Sequence, residues 1–166
     1  MAIISALTNR VYPNAPAPAA LEELPGHAIR RLQQIAVAVF LQETEPFGLT
    51  PVQYGALASV VRSPGVDQRT LAATLGLDTS TTGGVIDRLE ARGLLTRNPS
   101  EQDRRVRLLT PTAEGLTLVA DIEPAMLRAQ ERMLEPLSPG ERAEFMRMLQ
   151  VLVTANNELS RAPSGL

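Results

Sequence analysis

Between Asp67 and Gly93 the sequence sets two helical runs on either side of a single glycine, and that spacing leaves few folds open. Asp67 is a capping residue ahead of the run Gln68 to Leu75, which Gly76 closes. Asp78, Thr79 and Ser80 open a second run that ends at Arg92 and Gly93, with Thr82, Val85, Ile86 and Leu89 facing inward. After Gly93 the pattern changes. Leu94 to Asn98 and Arg105 to Leu109 are short strand candidates, separated by the polar segment Pro99 to Arg104. They form a β-hairpin with a long, charged tip. Helix, short turn, helix and hairpin together make a helix-turn-helix with a wing. In that arrangement the first helix braces across the DNA backbone, and the second presents its N-terminal turns to the major groove, which is wide enough to accept a helix. Ala72 is small where the two helices cross, and Leu71, Leu75 and Val85 supply the contact.

The flanking segments are helical. Residues 1–20 carry Pro13, Pro16 and Pro18 and form an extended arm. From Pro25 to about Glu45, Ile29, Leu32, Ile35, Ala36, Val39 and Phe40 recur at helical steps. Val37 and Leu41 lie off that stripe, so the helix has two apolar faces, and a partner subunit is a natural neighbour for the second. Thr50-Pro51-Val52-Gln53 is a capping box with proline at the first helical position, opening a helix to Arg62. Thr110-Pro111-Thr112 restarts a helix by the same logic; it carries Leu116, Val119, Ala120 and Ile122, is interrupted or kinked at Pro124, and continues through Met126, Leu127, Met133 and Leu134. Ser138-Pro139-Gly140-Glu141 opens a last helix with the stripe Phe145, Met148, Leu149, Leu152 and Val153, and residues 161–166 fray. The fold class is mainly α with a small β-hairpin wing.

Composition removes several functions. The chain of 166 residues has no Cys and one His, His27, which excludes disulfides, thiol redox sensing, a zinc ribbon and a Cys nucleophile. Paired carboxylates at catalytic spacing are also lacking, so neither an enzyme nor a metal or cofactor site is expected. No apolar run approaches the roughly 20 residues that span a bilayer, and Met1 to Leu7 lack a basic leader, so a cytoplasmic protein with no membrane partner is expected. All sixteen basic residues are Arg, against 18 acids. Residues 69–107 hold seven of those Arg and five acids, whereas the remainder is acidic. A net charge of −2 thus conceals a positive segment, and DNA affinity follows the local field.

The run from Leu71 to Leu95, LAATLGLDTSTTGGVIDRLEARGLL, with Asp103-Arg104-Arg105 and Thr112-Ala113-Glu114-Gly115, resembles the MarR family of winged-helix regulators. The resemblance covers about residues 25 to 158. It implies a homodimer whose N- and C-terminal helices build the interface, each subunit offering a winged lobe to a pseudo-palindromic operator in double-stranded DNA. Residues 21–48 are then a dimerisation helix, 49–110 the DNA-binding lobe and 111–160 the C-terminal dimerisation helices. Thr79, Ser80 and Thr81 at the start of the recognition helix reach phosphates or base edges, unless Thr79 or Asp78 only caps it. Arg88 is a candidate phosphate contact, and Arg97, Arg104 and Arg105 supply the wing. By the resemblance, Asp103 orients the Arg105 guanidinium for the minor groove or its phosphates. Gly83-Gly84 departs from the family, which often has polar or basic residues there; the pair costs about 2 kcal/mol of helix propensity. Either the backbone approaches DNA closely there, or direct readout is weaker and the wing compensates. Pro111 departs too, standing where the family has Leu.

Leu24 to Gln34 looks like the opening of a branch of this family that controls aromatic-acid catabolism. Its members respond to hydroxybenzoates, protocatechuate, hydroxynicotinate or hydroxycinnamate derivatives, sometimes as CoA thioesters, and the family's ligand lies between lobe and dimer interface. By that resemblance Arg30 clamps a carboxylate, with an intersubunit salt bridge as the alternative role. His27 donates to a ligand hydroxyl or has a local partner, and Arg31 is the second candidate cation. The expectation is a dimeric repressor released by a small aromatic carboxylate; the competing expectation is a DNA-binding regulator or architectural protein without an effector.

Overall fold

Helix caps written into the sequence set most of the element boundaries in the computed structural model, which describes residues 19–160 and Ala162. The extended arm expected over residues 1–20 lies, except for its last two residues, outside the described residues. The chain divides at Gln34 into an N-terminal unit and the remainder. A single turn, Leu21–Glu23, precedes helix α1 (Pro25–Glu43), which begins in the first unit and ends in the second. Thr44 closes it from a buried position, its hydroxyl donating to the Phe40 carbonyl at 2.7 Å.

Helix α2 (Pro51–Arg62) starts at the expected capping box, and both of its halves form: Gln53 N–H donates to Thr50 Oγ1 at 3.2 Å and Thr50 N–H to Gln53 Oε1 at 3.0 Å. There follow β1 (Val66–Asp67), α3 (Gln68–Leu75), α4 (Thr79–Ala91), β2 (Leu95–Pro99), β3 (Arg107–Pro111), α5 (Ala113–Leu134) and α6 (Pro139–Ala155). The three strands form an antiparallel sheet in the order β1-β3-β2, with Leu95 opposite Pro111 and Pro99 opposite Arg107. Val66 pairs with Leu109, which makes a two-residue strand of a stretch that carries no strand pattern of its own. The core gathers Leu57 and Val60 of α2, Leu71 of α3, Val85, Ile86 and Leu89 of α4, Leu95 and Leu109 of the sheet, and Ile122 of α5. Burial of these side chains is the main stabilising term, about 1.5–3 kcal/mol for each large one.

The expected start of α5 needs correction. Pro111 is the last residue of β3 and not the first of the helix; Thr112 is the cap, its Oγ1 accepting Gly115 N–H at 3.0 Å. The reason lies outside the local sequence: Thr112 N–H is drawn to the Leu94 carbonyl at 3.1 Å, and its hydroxyl donates to the Gly93 carbonyl at 2.7 Å. Pro124 does not interrupt α5, which runs through it with the ring on an exposed face. Helix α6 keeps its capping box at Ser138 and Glu141 but buries none of its 17 residues, leaving Met146, Met148, Val151, Leu152 and Val153 about half exposed. No helix among the described residues is long and apolar enough to cross a membrane.

Gly115 fixes α5 against the sheet. A Cβ there would stand 2.0 Å from the Leu94 carbonyl oxygen, a backbone atom that cannot yield alone. At Gly84, by contrast, a Cβ meets nothing within 4 Å. Gly115→Ala therefore lowers stability by about 3 kcal/mol or more, and Gly84→Ala raises it by up to about 1 kcal/mol. Denaturant unfolding of both variants at one protein concentration checks the pair. Equal effects would mean that the Leu94 contact does not hold α5 in place.

Candidate nucleic-acid interface

The site is built on two capped helices. The Asp67 carboxylate accepts from Arg69 N–H (2.8 Å), Thr70 N–H (3.0 Å) and the Thr70 hydroxyl (2.7 Å), and the Thr70 hydroxyl bond above all holds its pKa below the usual carboxylate range. Gly76 takes the left-handed conformation, φ 62°, that ends α3 and turns the chain into α4. Asp78 is the cap of α4, as one of the two expected roles required: its carboxylate accepts from Thr81 N–H at 2.8 Å and the Thr81 hydroxyl at 2.6 Å, which lowers its pKa too. Thr81 is thus engaged in the cap, while the Thr79 and Ser80 side chains at the same exposed turn make no hydrogen bond among the described residues. Thr82 is buried and donates back to the Asp78 carbonyl at 2.9 Å.

The paired glycines separate in role. The carboxamide of Gln68, the first residue of α3, lies across α4 and donates to the Thr79 carbonyl at 2.9 Å. A Cβ on Gly83 would stand 3.0 Å from that same nitrogen, whereas Gly84 faces open space. Gly83 makes room for a side chain from the preceding helix, which no helical periodicity within α4 could disclose.

The wing tip is a turn held by its own backbone. Ser100 N–H donates to the Val106 carbonyl at 3.0 Å and Val106 N–H to the Asp103 carbonyl at 2.9 Å. The Asp103 carboxylate accepts from the backbone N–H of Arg105 at 2.9 Å and not from its guanidinium, so it orients Arg105 through the main chain. The Arg104 and Arg105 side chains stand exposed beyond it.

Arg97 departs from the expectation of a DNA contact. Its guanidinium donates to Glu90 at 2.8 and 2.6 Å and to Asp87 at 2.5 Å, and these two α4 carboxylates, Glu90 first, raise its pKa further. It ties β2 to the recognition helix. The signal was available: Asp87 and Glu90 are one helical turn apart on one flank, beside the strand that follows. Arg92 is a second brace, which its position at the helix end does not itself disclose; it donates to the Gly48 and Phe47 carbonyls at 2.7 and 3.1 Å and pins the end of α4 to the turn before α2.

Elsewhere arginines are also committed. Arg128 and Arg132 pair with Glu43, Arg147 with Glu144, and Arg142 caps carbonyls of the α5–α6 turn. In the N-terminal unit the Arg30 guanidinium lies 3.4 Å from His27 Nδ1, and Arg31 donates to Gln34 Oε1 at 3.1 Å. The structure thus brings His27 and Arg30 together and turns Arg31 elsewhere. Among the described residues, guanidiniums without a hydrogen bond or ion pair are those of Arg62, Arg69, Arg88, Arg104, Arg105 and Arg107, all within residues 49–110. Among the same residues no group of three or more His, Cys, Asp or Glu is placed to hold a metal.

Residues 47–106 match the model of the MarR family. The chain is 34% identical over 134 residues to a putative transcriptional regulatory protein for the hcr operon of Thauera aromatica, covering 80% of this chain and 81% of that one. Among solved structures, it is 30% identical to BpsR of Bordetella bronchiseptica, whose DNA binding is regulated by 6-hydroxynicotinic acid (TM-score 0.78, covering 82% of this chain and 97% of that chain). It is 31% identical to the repressor CouR bound to a 23-mer DNA duplex (TM-score 0.77, covering 84% and 99%); CouR of Rhodococcus jostii RHA1 has also been solved with p-coumaroyl-CoA.

The Arg97 brace can be measured without DNA. Arg97→Ala destabilises the protein by about 1 kcal/mol, the sum of two partly exposed pairs, and by close to nothing in an Asp87→Asn, Glu90→Gln background. A cycle from denaturant melts reads this coupling. Equal costs in both backgrounds would show that the pairs do not join wing and helix.

Proposed function

This chain is a member of the MarR family, DNA-binding transcriptional regulators, and from that premise we propose that it acts as a homodimeric repressor released by a small aromatic carboxylate or its CoA thioester, in control of aromatic-compound catabolism. The observation that carries the reading is the segregation of uncommitted guanidiniums: every described one lies within residues 49–110. Cations already neutralised by carboxylates release few counterions on meeting phosphate, so affinity rests on the others. In the proposed complex α4 enters the major groove with Thr79 and Ser80 foremost, the α4 N-terminus and Arg88 face phosphates, and Arg104 and Arg105 reach the minor groove beside it. Asp103 serves them by shaping the turn, and Arg97 serves by holding the wing to the helix.

Unsatisfied surface supports the proposed second subunit. A helix of 17 residues that buries none of them, with five large apolar side chains half exposed, has no home in one chain. A partner copy packed on residues 111–160, with residues 21–48, would bury that face and set two α4 helices toward half-sites one helical turn apart.

For the effector, the ligands of BpsR and CouR support an aromatic acid or its thioester. Arg30 is the proposed clamp, since a guanidinium binds a carboxylate through two parallel hydrogen bonds. His27 accepts from Arg30 through Nδ1, leaving Nε2 as the nitrogen able to donate to a ligand hydroxyl. Release needs only that the ligand prefer a spacing of the two lobes that does not fit the operator.

Operator binding across a salt series tests the DNA contact. Arg105→Ala weakens binding about tenfold and lowers the salt slope by about one; an unchanged slope removes Arg105 from the phosphate contacts. Induction tests the clamp. Arg30→Ala keeps operator affinity but needs at least about tenfold more aromatic acid to release DNA. Release at the wild-type concentration would place the clamp elsewhere. A wild-type chain whose melting temperature no aromatic acid or thioester raises would instead favour a regulator without such an effector.

A further inference from the structure

We propose that Gln68 is a specificity-determining residue, a side chain that reads an adenine edge from the helix before the recognition helix. The proposal rests on the DNA-binding role just given. Gln68 begins α3, yet its carboxamide lies over the first two turns of α4, bonded to the Thr79 carbonyl at 2.9 Å and seated where a Cβ on Gly83 would stand 3.0 Å away. Those N-terminal turns are the part of a recognition helix that meets base edges. With Gly83 and Gly84 side by side, one turn behind Thr79 and Ser80, α4 has no side chain of its own at those two positions. The polar group that occupies the place belongs to Gln68.

The remaining hydrogen-bonding capacity selects the base. A carboxamide carries two N–H groups and one carbonyl. One N–H is committed to Thr79, and among the described residues neither the other N–H nor Oε1 has a partner. A donor and an acceptor side by side on one planar group match the N7 acceptor and N6 amino donor of adenine in the major groove. Guanine offers two acceptors, N7 and O6, and would set one against Oε1; cytosine would satisfy Oε1 and strand the N–H. A phosphate would likewise oppose Oε1 with a second negative oxygen. The Thr79 bond fixes the plane of the carboxamide before DNA arrives, so little side-chain freedom is left to lose on binding.

The test uses the full chain. A duplex is selected by the wild type from a random-sequence library, and each base pair is then replaced in turn, with affinities read by fluorescence anisotropy. The wild type discriminates about tenfold for one A·T pair in each half-site. Gln68→Ala loses that discrimination, binding the selected duplex about tenfold more weakly and the duplex altered at that pair as the wild type does, with the salt slope unchanged. Gly83→Ala, which pushes the carboxamide aside, reproduces the loss, and thermal melts verify that both variants are folded. A uniform loss across all duplexes would make Gln68 a phosphate contact or a brace and overturn the proposal, as would unchanged selectivity. So would a loss in Gly83→Ala that Gln68→Ala does not show, since Gly83 would then be admitting DNA itself. A wild type that enriches no sequence while still binding DNA overturns base readout alone; one that binds no DNA overturns the DNA-binding role and this proposal with it.

Discussion

The contact on which the rest of the lobe depends is the approach of α5 to the carbonyl of Leu94. That oxygen accepts Thr112 N–H at 3.1 Å and leaves no space for a Cβ on Gly115. Leu94 itself is tied back to α4, its N–H donating to the Leu89 carbonyl at 3.0 Å, while Thr112 reaches the Gly93 carbonyl with its hydroxyl. Two consecutive peptide units, Gly93–Leu94 and Leu94–Leu95, therefore join the end of the recognition helix, the first strand of the wing and the long helix that follows it. Protein interiors are too closely packed to deform smoothly, so a shift of α5 would be passed to α4 as a rigid displacement. Such a junction would serve the proposed function, in which a ligand bound elsewhere on the chain alters how α4 meets DNA.

Beyond that junction, α4 is held along one flank by polar side chains. Gln68 lies over Thr79 and Gly83, Arg97 over Asp87 and Glu90, and Arg92 pins the last turn to the segment before α2. The chemistry of the Gln68 and Arg97 clamps suits the proposed DNA-binding role. Near the N-terminus, where the proposed phosphate contact needs the positive end of the helix uncovered, the clamp is a neutral amide. Farther along, where two carboxylates would repel DNA, the clamp is a cation. Arginine is the appropriate residue, since its planar fork serves both acids at once and lysine would serve one.

Local signals in the sequence suffice where local physics decides. Every cap at Thr50, Asp67, Asp78 and Ser138 forms as its side chain and spacing require, because a cap involves three or four consecutive residues. The winged helix-turn-helix was legible for the same reason. Local pattern is insufficient where a distant partner decides. Thr110-Pro111 has the local form of a helix start, but Leu94, eighteen residues away, moved the cap to Thr112. Val66-Asp67 became a strand only because β3 offered an unpaired edge. Arg97 looks like any wing arginine until α4 is folded against it, and the reason for Gly83 lies on a different helix.

The arginine distribution shows why net charge, even by segment, is too coarse a measure of attraction for DNA. The excess of Arg over acids in residues 69–107 includes Arg97, which is neutralised by two of those acids, and Arg92, which is turned to carbonyls before α2. Net charge treats those guanidiniums and the exposed ones at the wing tip alike. Phosphate does not, because a cation already paired must break that pair before it can displace a counterion. The electrostatic footprint is set by which arginines have nothing else to bond. Outside residues 49–110, the described arginines all have partners within their own helix, neighbouring helix or turn. An acidic chain can in this way confine its attraction for DNA to one lobe, and the committed arginines elsewhere weaken binding through any other face.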